Sequence, residues 1–285
     1  MANLKDIRNR IGTIKNIKQI TNAMKMVAAA KLRKSQEAVL NARPYSDYMD
    51  RMLRILQRKN RNSEHPLLSS INPHGKELLI VVTADKGLCG SFNTSIIRFT
   101  LQYLHSKPHC DLIFLGKKGY DYFRKLNLYK IIRVYSNLTD VSSVHAVRKI
   151  KTELMELYNK GEYGSVFVIY NEFKSAIQQN LIHKQIIPVV PYESSDISLT
   201  DYDYEPNAFT IIEELGGKYV NVELWRIILE SNAAEQGARM TAMDNATTNA
   251  EELIDELDLI YNRERQTQIT SQIIEIASGA EALKN

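Results

Sequence analysis

From Lys218 to Ser278 the chain has no proline and a single glycine, Gly237; from Thr13 to Arg43 it has neither. At about 1.5 Å per residue the longer run would make a helix on the order of 90 Å long. That is far beyond the usual globular helix, so the pattern predicts a coiled coil or a helical rod. The two runs lie at opposite ends of the chain. The arrangement they imply is a shaft of two helices, formed by the first and last segments, carrying a compact domain between them.

Charge supports this pairing. Residues 1–61 hold 15 Lys/Arg against 4 Asp/Glu, a balance of +11, whereas residues 218–285 hold 6 against 12, a balance of −6. A basic first helix and an acidic last one suit an antiparallel contact. Exposed pairs contribute only ~0–1 kcal/mol each, so charge favours the pairing without holding it. The surplus positive charge calls for an acidic protein surface or a nucleic acid. No stretch approaches the ~18 consecutive apolar residues of a membrane span. The first residues lack the apolar run of a secretory signal. The two cysteines, Cys89 and Cys110, are too few for a disulfide scaffold, and a reducing cytosolic setting is expected.

The first helix carries apolar residues at Ile7, Ile11, Ile14, Ile17, Ile20, Met24 and Val27. Their mean step of 3.3 residues is shorter than the spacing of a coiled-coil seam, about 3.5. The stripe therefore winds around the helix and meets a partner helix over only part of its length. Pro44 removes a backbone bond and is expected to kink or stop the helix, which resumes to about residue 57. Residues 58–76, with Pro66, Pro73 and Gly75, read as linker. Strand and helix signals then alternate: strands at Leu78–Thr83, Asp111–Leu115, Ile131–Tyr135 and Val166–Tyr170, and helices at about 91–105, 117–126 and 141–159. Gln185–Val190 is an edge strand at best, because Pro188 cannot donate to a ladder. Buried strands alternating with helices indicate a Rossmann-like α/β domain with a mainly parallel sheet. The division is thus a shaft helix over 1–57, a linker over 58–76, an α/β domain over 77–191, a loop over 192–210 and a second shaft helix over 211–285. Gly216–Gly217 is a candidate break near the start of that last helix.

Small residues at Ala234, Ala238, Ala242, Ala246 and Ala250 recur every fourth position and allow another backbone to come close; Ala28, Ala29 and Ala30 are candidates to face part of this ladder. Catalytic patterns are missing. There is no phosphate loop, dinucleotide fingerprint, His-Glu-x-x-His or paired Cys-x-x-Cys. The loop Thr83–Gly90 stands where an α/β enzyme places its site. Its Cys89 is either a nucleophile or a buried structural thiol, and with no histidine near in sequence the second is favoured. His105, His109 and Cys110 are weak metal-ligand candidates beside the alternative of scattered surface groups. Lys31, Arg33 and Lys34 form a basic patch without the interleaved aromatics of single-strand binding, which favours a protein partner.

Several segments carry a family resemblance. The run Met26-Val27-Ala28-Ala29-Ala30-Lys31-Leu32-Arg33-Lys34-Ser35-Gln36 closely resembles the N-terminal helix signature of the gamma subunits of F-type ATP synthases. Gly87-Leu88-Cys89-Gly90, Ala238–Met243, Ile260–Asn262, Arg265-Gln266, Ile269-Thr270 and Ile276–Ala280 match the same family. One departure is Gln272, where the family usually has Glu. The resemblance implies a central rotor shaft turning inside a hexamer of alpha and beta subunits, with the α/β domain below, against the epsilon subunit and the membrane c ring, one copy per complex. It implies no cofactor, metal or catalytic site of its own, no nucleic-acid partner, and a place on the cytoplasmic face of a bacterial inner membrane. It further implies that Lys31, Arg33 and Lys34 face an acidic beta loop and that Arg265 and Gln266 bond a beta loop near its nucleotide site. Met24, Met26, Arg239 and Met243 would line the coil near an apolar collar, with Ala234, Ala238 and Ala242 in the coil packing. Tyr204 and Glu205 would lie at the foot. Two other readings stand beside this one: a coiled-coil scaffold that binds nucleic acid through its basic helix, and an enzyme built around Asp85–Gly90.

Overall fold

A computed structural model describes residues 4–59, 65–107, 109–138, 143–190, 205 and 208–282. The elements run α1 (Leu4–Lys59), β1 (Lys76–Val82), α2 (Phe92–Ser106), β2 (Cys110–Leu115), α3 (Lys117–Leu126), β3 (Ile131–Tyr135), α4 (Ser143–Asn159), β4 (Tyr163–Phe173), β5 (Gln179–Ile187) and α5 (Ala208–Ala282). Among the described residues no helix is long and apolar enough to cross a membrane. The chain forms two compact units: Met1–Val27 with Met240–Asn285, and Ala28–Arg239.

In the first unit the opening of α1 and the last part of α5 lie antiparallel. Lys18 Nζ meets Glu251 Oε1 at 2.8 Å, the Thr21 and Thr247 hydroxyls are 2.8 Å apart, and Lys25 Nζ donates to Asp244 Oδ1 at 2.6 Å. As the first residue number rises the second falls, which defines the direction. The more covered positions of α1 here are Leu4, Ile7, Ile11, Ile14, Lys18, Thr21, Met24 and Lys25. The seam is apolar in its first part, and polar residues take three of its last four positions. The apolar stripe leaves the seam as its spacing requires: Ile7 and Ile11 are buried, whereas Ile17, Ile20 and Val27 are 47%, 59% and 57% exposed.

The second unit is built on a five-stranded sheet in the order β3-β2-β1-β4-β5. Neighbours among β3, β2, β1 and β4 are parallel, and β5 joins β4 antiparallel. Alternation along β1 sends Leu78, Ile80 and Val82 into a core shared with α1, α4 and α5. The other face of the sheet meets α2 and α3, where the Phe114 and Phe123 rings lie 5.4 Å apart.

Three expectations need correction. Helix α1 runs through Pro44 without stopping. The carbonyl that loses its donor belongs to Leu40, which is 55% exposed and open to water, while Met49, Leu53 and Leu56 hold the following turns in the core. Helix α5 likewise runs through Gly216–Gly217. Gly216 is there for close approach: a Cβ would lie 2.2 Å from Leu67 Cδ1. The strand expected at 185–190 is instead Gln179–Ile187, nine residues paired along most of β4.

Candidate partner-binding surfaces

The loop after β1 is held from several sides. Asn93 Oδ1 accepts from Ala84 N at 2.9 Å, and Thr83 Oγ1 accepts from Gly119 N at 3.0 Å. The Asp85 carboxylate receives Lys117 N at 3.0 Å on one oxygen and Asn137 N at 2.8 Å on the other. Leu88 and Gly90 take left-handed backbone, φ 61 and 57, which turns the loop tightly and leaves Leu88 63% exposed. Arg239 reaches across from α5, donating to Gly87 O at 3.2 Å and to Glu235 at 2.7 Å. Burial raises the Glu235 carboxyl pKa, and Arg239 opposes that rise. Cys89 is buried and accepts from Asn93 Nδ2 at 3.2 Å; burial pushes its thiol up, the wrong direction for a nucleophile. Asp85, Asn93 and Arg239 are thus spent on supporting the loop, and what it offers outward is Leu88 beside the exposed Lys86.

The other candidates fall into two sets. In the second unit Lys31, Arg33 and Lys34 are exposed on α1, with Arg33 3.7 Å from Glu37, while Ala234 is buried and Ala238 half-buried on α5. Arg239 has its guanidinium turned inward, its side chain 12% exposed. In the first unit Met243 is buried, Met24 and Ala242 are half-buried, and Met26 is 64% exposed. Arg265, Gln266 and Gln272 stand exposed on α5, followed by Ile269, Ile273, Ile274 and Ile276, all between 48% and 73% exposed. Glu205 is exposed, and Tyr204 lies outside the described residues. Among the described residues no group of three or more potential ligands is placed to hold a metal ion. Cys110 is buried, and that burial, aided by Glu77 and Asp111, pushes its thiol up to about 12.

A family model described as ATP synthase matches residues 3–283. The ATP synthase gamma chain of Prosthecochloris aestuarii is 45% identical, covering 100% of this chain and 99% of its own. This chain belongs to the ATP synthase gamma family. The gamma chain of Salinibacter ruber is 42% identical over 100% of this chain and 99% of its own. Among solved structures, the central stalk with c ring of Tetrahymena thermophila mitochondrial ATP synthase matches with TM-score 0.60 at 27% identity, over 80% of this chain and 99% of that one. A rotor chain of Euglena gracilis mitochondrial ATP synthase matches with TM-score 0.69 at 20% identity, over 93% and 98%, a likeness of fold.

The features that hold this gamma chain's second unit together were not singled out in the sequence. Glu230 is fully buried. Its carboxylate accepts from Arg43 Nε at 2.7 Å, Arg43 Nη2 at 2.9 Å and Phe173 N at 3.1 Å, and Arg43 Nη2 also donates to Phe173 O at 2.8 Å. Two turns earlier Glu223 accepts from Lys184 at 2.7 Å, and Lys184 lies 3.4 Å from Asp50. Burial acts against the Asp50 charge, but the Arg54 hydrogen bond and the Lys184 and Arg54 charges hold its carboxyl below the usual range. The available signal was two carboxylates, Glu223 and Glu230, seven residues apart in a run otherwise made apolar by Val220, Leu224, Ile227 and Ile228.

Proposed function

We propose that this gamma chain is the central rotor of an F-type ATP synthase, passing rotation of the membrane c ring to conformational change at catalytic sites on the beta subunits. The observation that carries this reading is family membership over nearly the whole chain, residues 3–283. The antiparallel seam of the first unit and the exposed isoleucines after Arg265 agree with a shaft whose outer surface meets other subunits. In this reading the alpha and beta subunits surround the helical part, the epsilon subunit and c ring meet the α/β domain, and one copy serves each complex. Bond-making takes place on the neighbours, and the chain has no catalytic centre or cofactor of its own. An asymmetric shaft presents a different face to each beta subunit, so each is biased to a different conformation by differential contact. The complex sits on the cytoplasmic face of a bacterial inner membrane. A nucleic-acid scaffold has no support among the relatives, and Lys18 and Lys25 of the basic helix are engaged by Glu251 and Asp244.

Arg265 and Gln266 are assigned to a beta loop near the nucleotide. Arg265→Ala with Gln266→Ala should slow ATP turnover of the assembled complex while leaving the helical circular dichroism of the chain unchanged. Unaltered turnover removes this assignment. Co-purification at low salt should recover beta, epsilon and c subunits; their absence overturns the rotor reading.

A further inference from the structure

We propose that a groove between α4 and the start of α5 binds a phosphate-bearing ligand. The groove is open to solvent, offers about 490 Å³ of space and lies wholly in the second unit. Three cations line it: Arg148 and Lys151, three apart on one face of α4, and Lys218 on α5. No carboxylate lines it. None of the three side chains has a hydrogen bond or ion pair with another described residue. Some other cations of the same unit are paired: Arg226 with Asp47 at 2.7 Å, Arg133 with Glu153 at 3.3 Å, and Arg43 with Glu230. Like charges gathered in one groove repel each other, weakly where water and salt screen them, and an anion between them relieves that repulsion.

Two further features make this more than a basic surface. Gly217 leaves the α5 side of the groove bare: the nearest atom to a Cβ built there is Lys151 Nζ, at 4.0 Å. Asn221 stands in the groove wall, and its side-chain oxygen is buried behind the surface with no hydrogen-bond partner among the described residues. A buried acceptor of this kind is a place for a bridging water. Tyr45, 57% exposed, adds a phenol and a ring face at the rim. Arginine offers a planar fork that matches phosphate oxygens, and the two lysines add point charges. The shared chemistry is therefore a phosphoryl group, carried either by a soluble phosphorylated compound or by a phospholipid headgroup.

The test uses the full chain and two variants. Arg148→Gln/Lys151→Gln/Lys218→Gln removes the charge; Gly217→Leu keeps the charge and fills the groove. Inorganic phosphate is titrated by calorimetry, and flotation is measured with phosphatidylcholine vesicles with and without phosphatidylglycerol. Saturable phosphate binding weakened at least about tenfold in both variants supports a soluble ligand. Phosphatidylglycerol-dependent flotation reduced in both variants supports a headgroup. Binding of neither probe, or binding that survives Gly217→Leu, overturns the proposal.

Discussion

The contact between Arg43 and Glu230 makes a quantitative prediction. Arg43→Ala leaves a fully buried carboxylate holding one backbone N–H, from Phe173, where it had two guanidinium donors as well. Breaking a buried ion pair from one side costs about 3–5 kcal/mol. The Arg43 side chain is 33% exposed, so water can enter the vacated space, which places the expected loss near about 3 kcal/mol. The double variant Arg43→Met/Glu230→Leu removes both charges; it takes the carboxylate from Phe173 N, a cost of about 1–3 kcal/mol, and shares with Arg43→Ala the loss of the donor to Phe173 O. It should therefore be no less stable than Arg43→Ala. The chain has one tryptophan, Trp225, packed against the core of the same unit, so its fluorescence reports urea unfolding there. With an m-value of about 2–3 kcal/mol per molar, Arg43→Ala should lower the urea midpoint by about 1–1.5 M. A shift under about 0.5 M, or a double variant clearly worse than Arg43→Ala, would refute this account of the pair.

Other outcomes follow from single positions. Gly116 has φ +105, and a Cβ there would lie 1.9 Å from Thr83 O, so Gly116→Ala should cost about 3 kcal/mol or more and be read as a lowered thermal midpoint. Ala250 is buried in the first unit, so Ala250→Leu should overpack it by about 1–3 kcal/mol, measured by thermal circular dichroism. His183 is exposed on one side of its ring, but contact with Phe167 and Tyr103, centroids 4.9 and 4.5 Å away, partly desolvates it and lowers its pKa, an effect opposed by Glu77. The unfolded state then takes up the proton first, so stability should decline as pH falls below 6.5 and level off once the folded imidazole titrates. His183→Phe should flatten that part of the slope, and an unchanged slope would count against the assignment.

Much of the sheet was legible because its strands are short apolar runs between turn residues. Ile131–Tyr135 and Lys117–Leu126 have the expected bounds, and β1, β2, α2 and α4 differ from expectation by a few residues. The hairpin of β4 and β5 was not legible in full, because Gln179, Asn180, His183, Lys184 and Gln185 belong to a half-covered edge strand with no apolar run to mark it. Pro44 and Gly216–Gly217 misled for one reason: local breaking tendencies of about 1–3 kcal/mol are outweighed by buried neighbours such as Leu53, Leu56, Tyr219 and Val220. The seam of the first unit was obscured because Lys18, Thr21 and Lys25 occupy it. The proposed partner surfaces rest on resemblance alone. Lys31, Arg265 and Gln266 are exposed polar groups, and exposure to a partner subunit leaves the same residue pattern as exposure to water.

Phe173 of β4, Arg43 of α1 and Glu230 of α5 converge on one carboxylate. Through it the sheet and both helical stretches of the residue 28–239 unit are tied at one buried point. Shifting either stretch against the sheet would break charge-assisted hydrogen bonds where water does not replace them.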